Sequence, residues 1–501
     1  MSLSSHFKGP WVGAIKQAGP TCAADFPPYP CLEPESLVST ASPVSFEIGT
    51  GASIYTHSLL PAILEAEHEV ILVTCFWARS STLTALREVI ERVAKTRRDH
   101  IRSQPPSHRA HNPLRPLRIR ICFSSRSLFQ KLFHTWSRDG YVYPRSDWTS
   151  KLGLPDPELV DAGLIDLQVK SLFFLPFSVM HPKFLIVDRK RAWLPSCNIS
   201  WEPWLEGCIE ITGDTVATLL RFYHSVWDRD PMVDGWLPAT DGLQQQADSI
   251  PSPERVGLTS IQSPARHFAE LNLGSIPTIL LPSSHHRNPQ FRPLPWQRQA
   301  HPPATPLNCA VLQLFAMAEK SIYVQTPNLT SAAVTNAMLT ALGRGVDVTI
   351  VTSKGMMVLE QILTGGTTTS WCLRSFIKAY QKQARRLTQS AMTNNAREDA
   401  TLDLEAQPPR LGHLEVFYFH RLVANQQQQS QEEPVHSHLK LITVDEQYAI
   451  LGSGNMDRAS WFTSQELGIL FQSCEFVADV TEIVGRSLRG RLSSLFTSRH
   501  R

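Results

Sequence analysis

The chain has 501 residues, 42% of them hydrophobic and 19% charged, which supplies full-sized cores and excludes a disordered protein. Its 48 basic and 45 acidic residues leave a net charge of +3, which weighs against a dedicated duplex-DNA binder while allowing a local basic pocket for one or two phosphates. No run of about 18 apolar residues occurs, which argues against a transmembrane helix.

Residues 1–48 read as an N-terminal extension. Met1–Pro20 lacks the apolar core of a signal peptide and carries Lys8 and Lys16 but no arginine, unlike a mitochondrial presequence. The first half, 49–240, opens with a helix-like Leu59–Glu67 and an apolar run of strand length, Glu69–Trp77. A helix with Leu83, Leu86, Ile90 and Val93 at helical spacing follows, then a strand over Leu117–Phe123. Residues 241–306 hold Gln244–Gln246, repeated prolines and His285-His286, and read as a linker in which the histidines are solvated. The second half, 307–501, repeats the order: helix Ala310–Glu319, strand Ser321–Pro327, helix Ser331–Leu342 with Gly343 and Gly345 at its end, strand Val346–Thr352. Thr96–Pro116 and Gln383–Pro434 (a disordered insertion over about 383–434) are too polar to order themselves. Strands alternating with helices, and apolar throughout, predict parallel strands covered on both faces. The register repeats as well: Ala66 precedes His181 by 115 positions and Ala318 precedes His438 by 120.

Each half then carries the same chemical set. Met180-His181-Pro182-Lys183-Phe184-Leu185-Ile186-Val187-Asp188 matches Ser437-His438-Leu439-Lys440-Leu441-Ile442-Thr443-Val444-Asp445: His-x-Lys, four residues, Asp. On a strand, His181 and Lys183 share a face, as do His438 and Lys440. Small-residue turns follow, Pro195-Ser196-Cys197-Asn198 and Gly452-Ser453-Gly454-Asn455, and then Glu206 and Glu466, each near a glycine in an apolar strand. A phosphodiester repels nucleophiles, so two lysines and two asparagine amides can bind its oxygens. One histidine can attack and another can protonate the leaving group. A carboxylate on the far imidazole nitrogen would fix the tautomer.

This set resembles the signature of the phospholipase D superfamily, over roughly Gly49–Asp228 and Asn308–Gly485. Gln325-Thr326-Pro327-Asn328 and Arg344-Gly345-Val346-Asp347-Val348 look most like the cardiolipin synthase and phosphatidyltransferase type. The resemblance implies an α/β fold of two α/β/α sandwich units about a pseudo-twofold axis, a covalent phosphohistidine, no metal or other cofactor, and transfer to water or an alcohol. It implies His181 as nucleophile and His438 as general acid and later base. Lys183, Lys440, Asn198 and Asn455 would hold the phosphate, Ser196 and Ser453 would line the turns, and Glu206 and Glu466 would orient the histidines, with Glu210 competing for the role of Glu206. Asp188 and Asp445, grouped with the catalytic motif, lie off the His/Lys face and read as ion-pairing supports. Pro195 departs from the usual turn glycine. The partner implied is a phospholipid at a peripheral membrane surface, met from the water side by an intracellular protein active as a monomer, with mitochondrial association left open. A nuclease on DNA or RNA, or a non-catalytic lipid-binding scaffold, are the alternatives.

The nine cysteines are scattered without a CxxC pair, which argues against a disulfide framework and for a reducing compartment; Cys75 and Cys122 read as core residues. Gly365-Gly366-Thr367 reads as a turn rather than a phosphate loop. Trp201, Trp204 and Trp461 read as core, with a lining for an acyl chain or base as the sharper alternative.

Overall fold

The computed structural model describes residues 3–22, 26–105, 114–127, 139–174, 178–200, 203–228, 263–285, 301–395, 410–422 and 433–498. Two compact units emerge, one built on Ser36–Leu280 and the other on Met1–Glu35, Leu281–Val423 and Val435–Arg501. Both are α/β.

The first unit contains β1 (Val38–Thr50), β2 (Glu69–Phe76), β3 (Leu117–Ser125), β4 (Tyr141–Val142), β5 (Ile165–Ser171), a small hairpin of β6 (Phe173–Phe174) and β7 (Ser178–Val179), β8 (Phe184–Val187), β9 (Arg191–Pro195), β10 (Trp204–Thr212), β11 (His267–Glu270) and β12 (Ile276–Ser283). Its main sheet runs β4-β5-β3-β2-β8-β9-β10-β1. β5, β3 and β2 are parallel, and every later neighbour is antiparallel. β2 is buried at every residue but Phe76, as the continuous apolar run predicts. The crossover helix Ser81–Ser103 is started by Ser80, whose Oγ accepts the Leu83 N–H at 3.1 Å. It buries Leu83, Leu86, Ile90 and Val93. It also runs well into the stretch expected to be disordered. Arg97 explains this: buried, it donates to the carbonyls of Gly163 and Arg115 at 2.9 and 2.8 Å.

The second unit contains β13 (Ser321–Gln325), β14 (Asp347–Ser353), β15 (Leu414–Phe419), β16 (His436–Ser437), β17 (Leu441–Val444), β18 (Tyr448–Gly452), β19 (Glu466–Gln472) and β20 (Leu492–Thr497). Its order is β20-β15-β14-β13-β17-β18-β19. Strand for strand, β15-β14-β13-β17-β18-β19 repeats β5-β3-β2-β8-β9-β10, with the same parallel and antiparallel neighbours.

Three expectations need correction. β15 lies inside the supposed insertion, yet Leu414 and Val416 are fully buried between polar flanks that masked a six-residue strand. The supposed linker holds β11 and β12, and all eight residues of β12 are buried. His285 is buried too, bridged to Phe26 with its ring nitrogen 3.3 Å from the Thr463 carbonyl, so it is not solvated. His286 lies outside the described residues. The N-terminal extension is part of the second unit: helix Ser5–Cys22 buries Phe7, Trp11 and Ile15, and the Trp11 indole donates to the Pro306 carbonyl at 3.0 Å.

Candidate active site

Each unit builds the same half-site from the same hairpin. β8 turns into β9 through Asp188 and Arg189, with φ of +50° and +59°, closed by the Lys190 N–H on the Val187 carbonyl. β17 turns into β18 through Asp445 and Glu446, φ +53° and +57°, closed by Gln447 on Val444. Two left-handed residues define a type I′ turn, and Asp tolerates that conformation.

These aspartates are not ion-pairing supports. The Asp188 carboxylate accepts the N–H groups of Glu67, His68 and Glu69 at 3.0, 2.7 and 2.8 Å. Asp445 accepts those of Glu319, Lys320 and Ser321 at 2.9, 2.7 and 2.9 Å. Each ties the start of the central strand to the end of the hairpin that follows its His-x-Lys segment. A carboxylate is chosen because one side chain must satisfy three amides. Ion pairing falls to the neighbour instead: Arg189 binds the buried Glu69 at 2.7 Å.

The histidines and lysines sit just ahead of their strands, which begin at Phe184 and Leu441. Lys183 and Lys440 are buried, and each turns its Nζ back to the carbonyl of its own histidine, at 2.9 Å on His181 and 2.7 Å on His438. Lys440 Nζ also lies 2.9 and 2.8 Å from the His438 Nδ1 and Nε2. His438 is buried, while His181 is partly exposed.

Ser196 and Ser453 differ from the phosphate-lining role expected of them. Each is buried and donates its proton to the glutamate, Ser196 to Glu206 and Ser453 to Glu466. Their oxygens accept the N–H groups of Gly207 and Leu467 at 2.9 and 3.0 Å. A hydroxyl has one proton, so neither has one left for a phosphate in this arrangement. Glu210 is separated from this set: it binds Arg191 at 2.8 Å and Ser45 at 3.1 Å. Pro195 does not disturb the turn, since Ser196 N–H meets the Gly207 carbonyl at 2.8 Å just as Ser453 meets Leu467. In the second unit glycine is required, because a Cβ on Gly452 would lie 2.2 Å from the Leu467 carbonyl oxygen.

The two asparagines are held differently. Asn198 Oδ1 accepts from Thr74 Oγ1, Cys75 N and Phe76 N at 3.3, 3.2 and 3.2 Å, which leaves its amide donors available. In the second unit Pro327 stands where Cys75 stands in the first, and proline has no N–H to give. Asn455 Oδ1 is accordingly buried without a partner, and its amide nitrogen donates to Asp457 at 3.1 Å.

Sequence reasoning missed a matched pair of serines. Ser124 Oγ accepts the N–H of Met180 at 3.0 Å, and Ser353 Oγ that of Ser437 at 2.9 Å; each fixes the residue before a histidine. Aligning β3 with β14 by their shared register would have revealed them. Of the tryptophans, Trp461 is buried, Trp204 opens β10 and Trp201 lies outside the described residues. Cys75 and Cys122 are buried. Gly366, φ +61°, ends helix Val358–Gly365 as a left-handed cap, in keeping with a turn. Among the described residues no group of three His, Cys, Asp or Glu is placed to hold a metal ion.

A duplicated α/β chain whose halves each carry a pinned His-x-Lys segment, a Ser–Glu pair and an asparagine defines the class. Residues 311–487 match the family model described as cardiolipin synthase, PLD-like domain. The crystal structure of phosphatidylserine synthase from Haemophilus influenzae Rd KW20 is similar in fold over 96% of this chain and 92% of that one, at 13% identity and TM-score 0.51. Polyphosphate kinase from Porphyromonas gingivalis aligns over 88% of this chain and 47% of its own at 10% identity, TM-score 0.42. The phospholipase D family member Nuc from Salmonella typhimurium aligns over 43% and 96% at 16% identity, TM-score 0.24. No curated protein matches the chain.

Proposed function

We propose that the protein is a phosphodiesterase or phosphatidyltransferase acting on phospholipids, with the His-x-Lys segments of its two halves supplying the nucleophile and the general acid. The observation that carries this is the duplication of the support, not only of the reactive residues. Asp188 and Asp445, Ser124 and Ser353, and the Ser–Glu pairs make equivalent bonds in both units. Two histidines held so alike are suited to the paired roles of nucleophile and general acid. The phospholipid assignment is supported by the family model, which is that of cardiolipin synthase.

In the first step a His181 ring nitrogen attacks phosphorus while the P–O bond to the leaving alcohol breaks. His438 gives its proton to that oxygen. In the second, His438 takes the proton of water or an acceptor alcohol, whose oxygen displaces His181 from phosphorus. Lys183 and Lys440 turn their ammonium groups to phosphate oxygens, because those oxygens carry negative charge and the carbonyl oxygens they now bind do not. The Asn198 amide donates to the same oxygens. Glu206 and Glu466 orient the imidazoles.

The deciding assay offers phosphatidylglycerol, phosphatidylcholine and single-stranded DNA to purified protein, each with EDTA. Turnover of a phospholipid is expected. Turnover of DNA alone, with affinity falling steeply as salt rises, would assign the site to nucleic acid instead.

A further inference from the structure

Helix Val358–Gly365 is inside out. Gln361 and Thr364 are its buried residues, while Val358, Leu359, Ile362 and Leu363 face solvent at 39, 72, 47 and 58% exposure. Trp371 follows at 60%. Of the twelve large apolar side chains exposed among the described residues, five fall within Val358–Trp371, so this is a patch rather than scatter. A core helix would turn these residues inward. Here the inward face is instead satisfied by polar bonds: Gln361 Nε2 donates to Asn328 Oδ1 at 2.8 Å, and its Oε1 accepts the Thr369 N–H at 2.6 Å.

The flanks are cationic. Lys354 precedes the helix and Arg374 and Lys378 follow Trp371; all three are exposed, with no carboxylate partner among the described residues. An apolar strip with an interfacial tryptophan and rimming cations matches the boundary of an anionic bilayer.

The patch is also wired to the half-site. Asn328, held by Gln361, donates to Asp457 Oδ2 at 3.4 Å, and Asn455 donates to the same oxygen at 3.1 Å. The helix packs on Arg458–Phe462, the short helix directly after Asn455.

We propose that helix Val358–Gly365 with Trp371 is the surface by which the protein lies on an anionic membrane, seating the Asn455 half-site next to the lipid headgroups. This rests on the phospholipid reading above and adds the element that delivers the site to its substrate.

The test is co-sedimentation of the full chain with vesicles of phosphatidylglycerol or of phosphatidylcholine, alongside turnover of a water-soluble short-chain phospholipid. The double variant Leu359→Ser, Leu363→Ser should bind phosphatidylglycerol vesicles about 100-fold more weakly, as each leucine leaving water is worth roughly ten-fold. Its turnover of the soluble substrate should be unchanged. Lys354→Gln with Arg374→Gln should cost roughly five-fold per cation on phosphatidylglycerol and little on phosphatidylcholine. Trp371 fluorescence should shift to the blue on vesicles. Equal vesicle binding by wild type and the double variant overturns the proposal, as does a patch consumed by self-association of wild type that the double variant abolishes. Vesicle binding without turnover of any phosphodiester leaves the surface standing and removes the enzymatic reading.

Discussion

Replacing Asp188 separates a catalytic from a structural aspartate. Its carboxylate holds three backbone N–H groups at 2.7 to 3.0 Å from a left-handed residue. Hydrogen bonds to a charged group contribute about 1.5–3 kcal/mol each, but this residue is only partly buried and water replaces much of the loss, so about 3 kcal/mol net is expected for complete removal. Alanine adds about 1 kcal/mol because it lacks the short polar side chain that eases Asp or Asn in a left-handed conformation. Asparagine tolerates that conformation and keeps one oxygen, so it should cost about 1–2 kcal/mol; glycine removes the strain but loses every bond. The order of destabilisation is therefore Asn, then Gly, then Ala. Asp188→Ala should lower Tm by about 8–16 °C, at about 2–4 °C per kcal/mol for a unit of this size. Thermal unfolding by circular dichroism gives the order, and kcat measured well below each transition should stay within about ten-fold of wild type. A loss in kcat of about 1,000-fold for Asp188→Asn with Tm unchanged would refute the reasoning and make the carboxylate a participant in the chemistry.

Ser124→Ala and Ser353→Ala each strip a buried N–H of its acceptor, at about 1–3 kcal/mol in urea unfolding. Each should also lower kcat about ten-fold, by loosening the histidine that follows; unaltered kcat in both would sink their positioning role. Lys183→Met should lower kcat about 100-fold or more, whereas a rise in KM alone would mean that the lysine binds ground state and transition state equally. Burial pushes the Asp228 carboxyl up, but the hydrogen bond and charge of His224, 2.8 Å away, and the bond from Tyr223 outweigh it and hold it below the usual range. A depressed carboxyl stabilises the fold fully above its unfolded pKa, about 3.9, and loses that contribution as pH falls through the lower folded value. Asp228→Asn should therefore flatten the loss of stability below about pH 4. An equally steep acid limb in the variant contradicts this.

The two His-x-Lys segments were readable from sequence because they recur at matched offsets, each followed by the same turn and glutamate. The parallel strand β2 was readable because it is a nearly continuous apolar run. What escaped was whatever a short element hides. β15 is six residues between polar tracts, and Arg97 extends a helix by bonding to carbonyls distant in sequence. Helix Ser5–Cys22 has its apolar residues at Phe7, Trp11 and Ile15, a strip four residues apart that was passed over in an N-terminus judged only for targeting. Asp188 and Asp445 were assigned a charge role because their motif names them beside a lysine. Their true partners are backbone amides, which no side-chain pattern displays.

One number tests the division of roles between His181 and His438 most directly: the moles of phosphoryl adduct trapped per mole of chain, with a substrate whose leaving group needs no proton. His438→Ala should accumulate one adduct per chain, mapped by mass spectrometry to His181, and His181→Ala should accumulate none. Two adducts per wild-type chain, or steady turnover by a protein lacking either imidazole, would contradict that division.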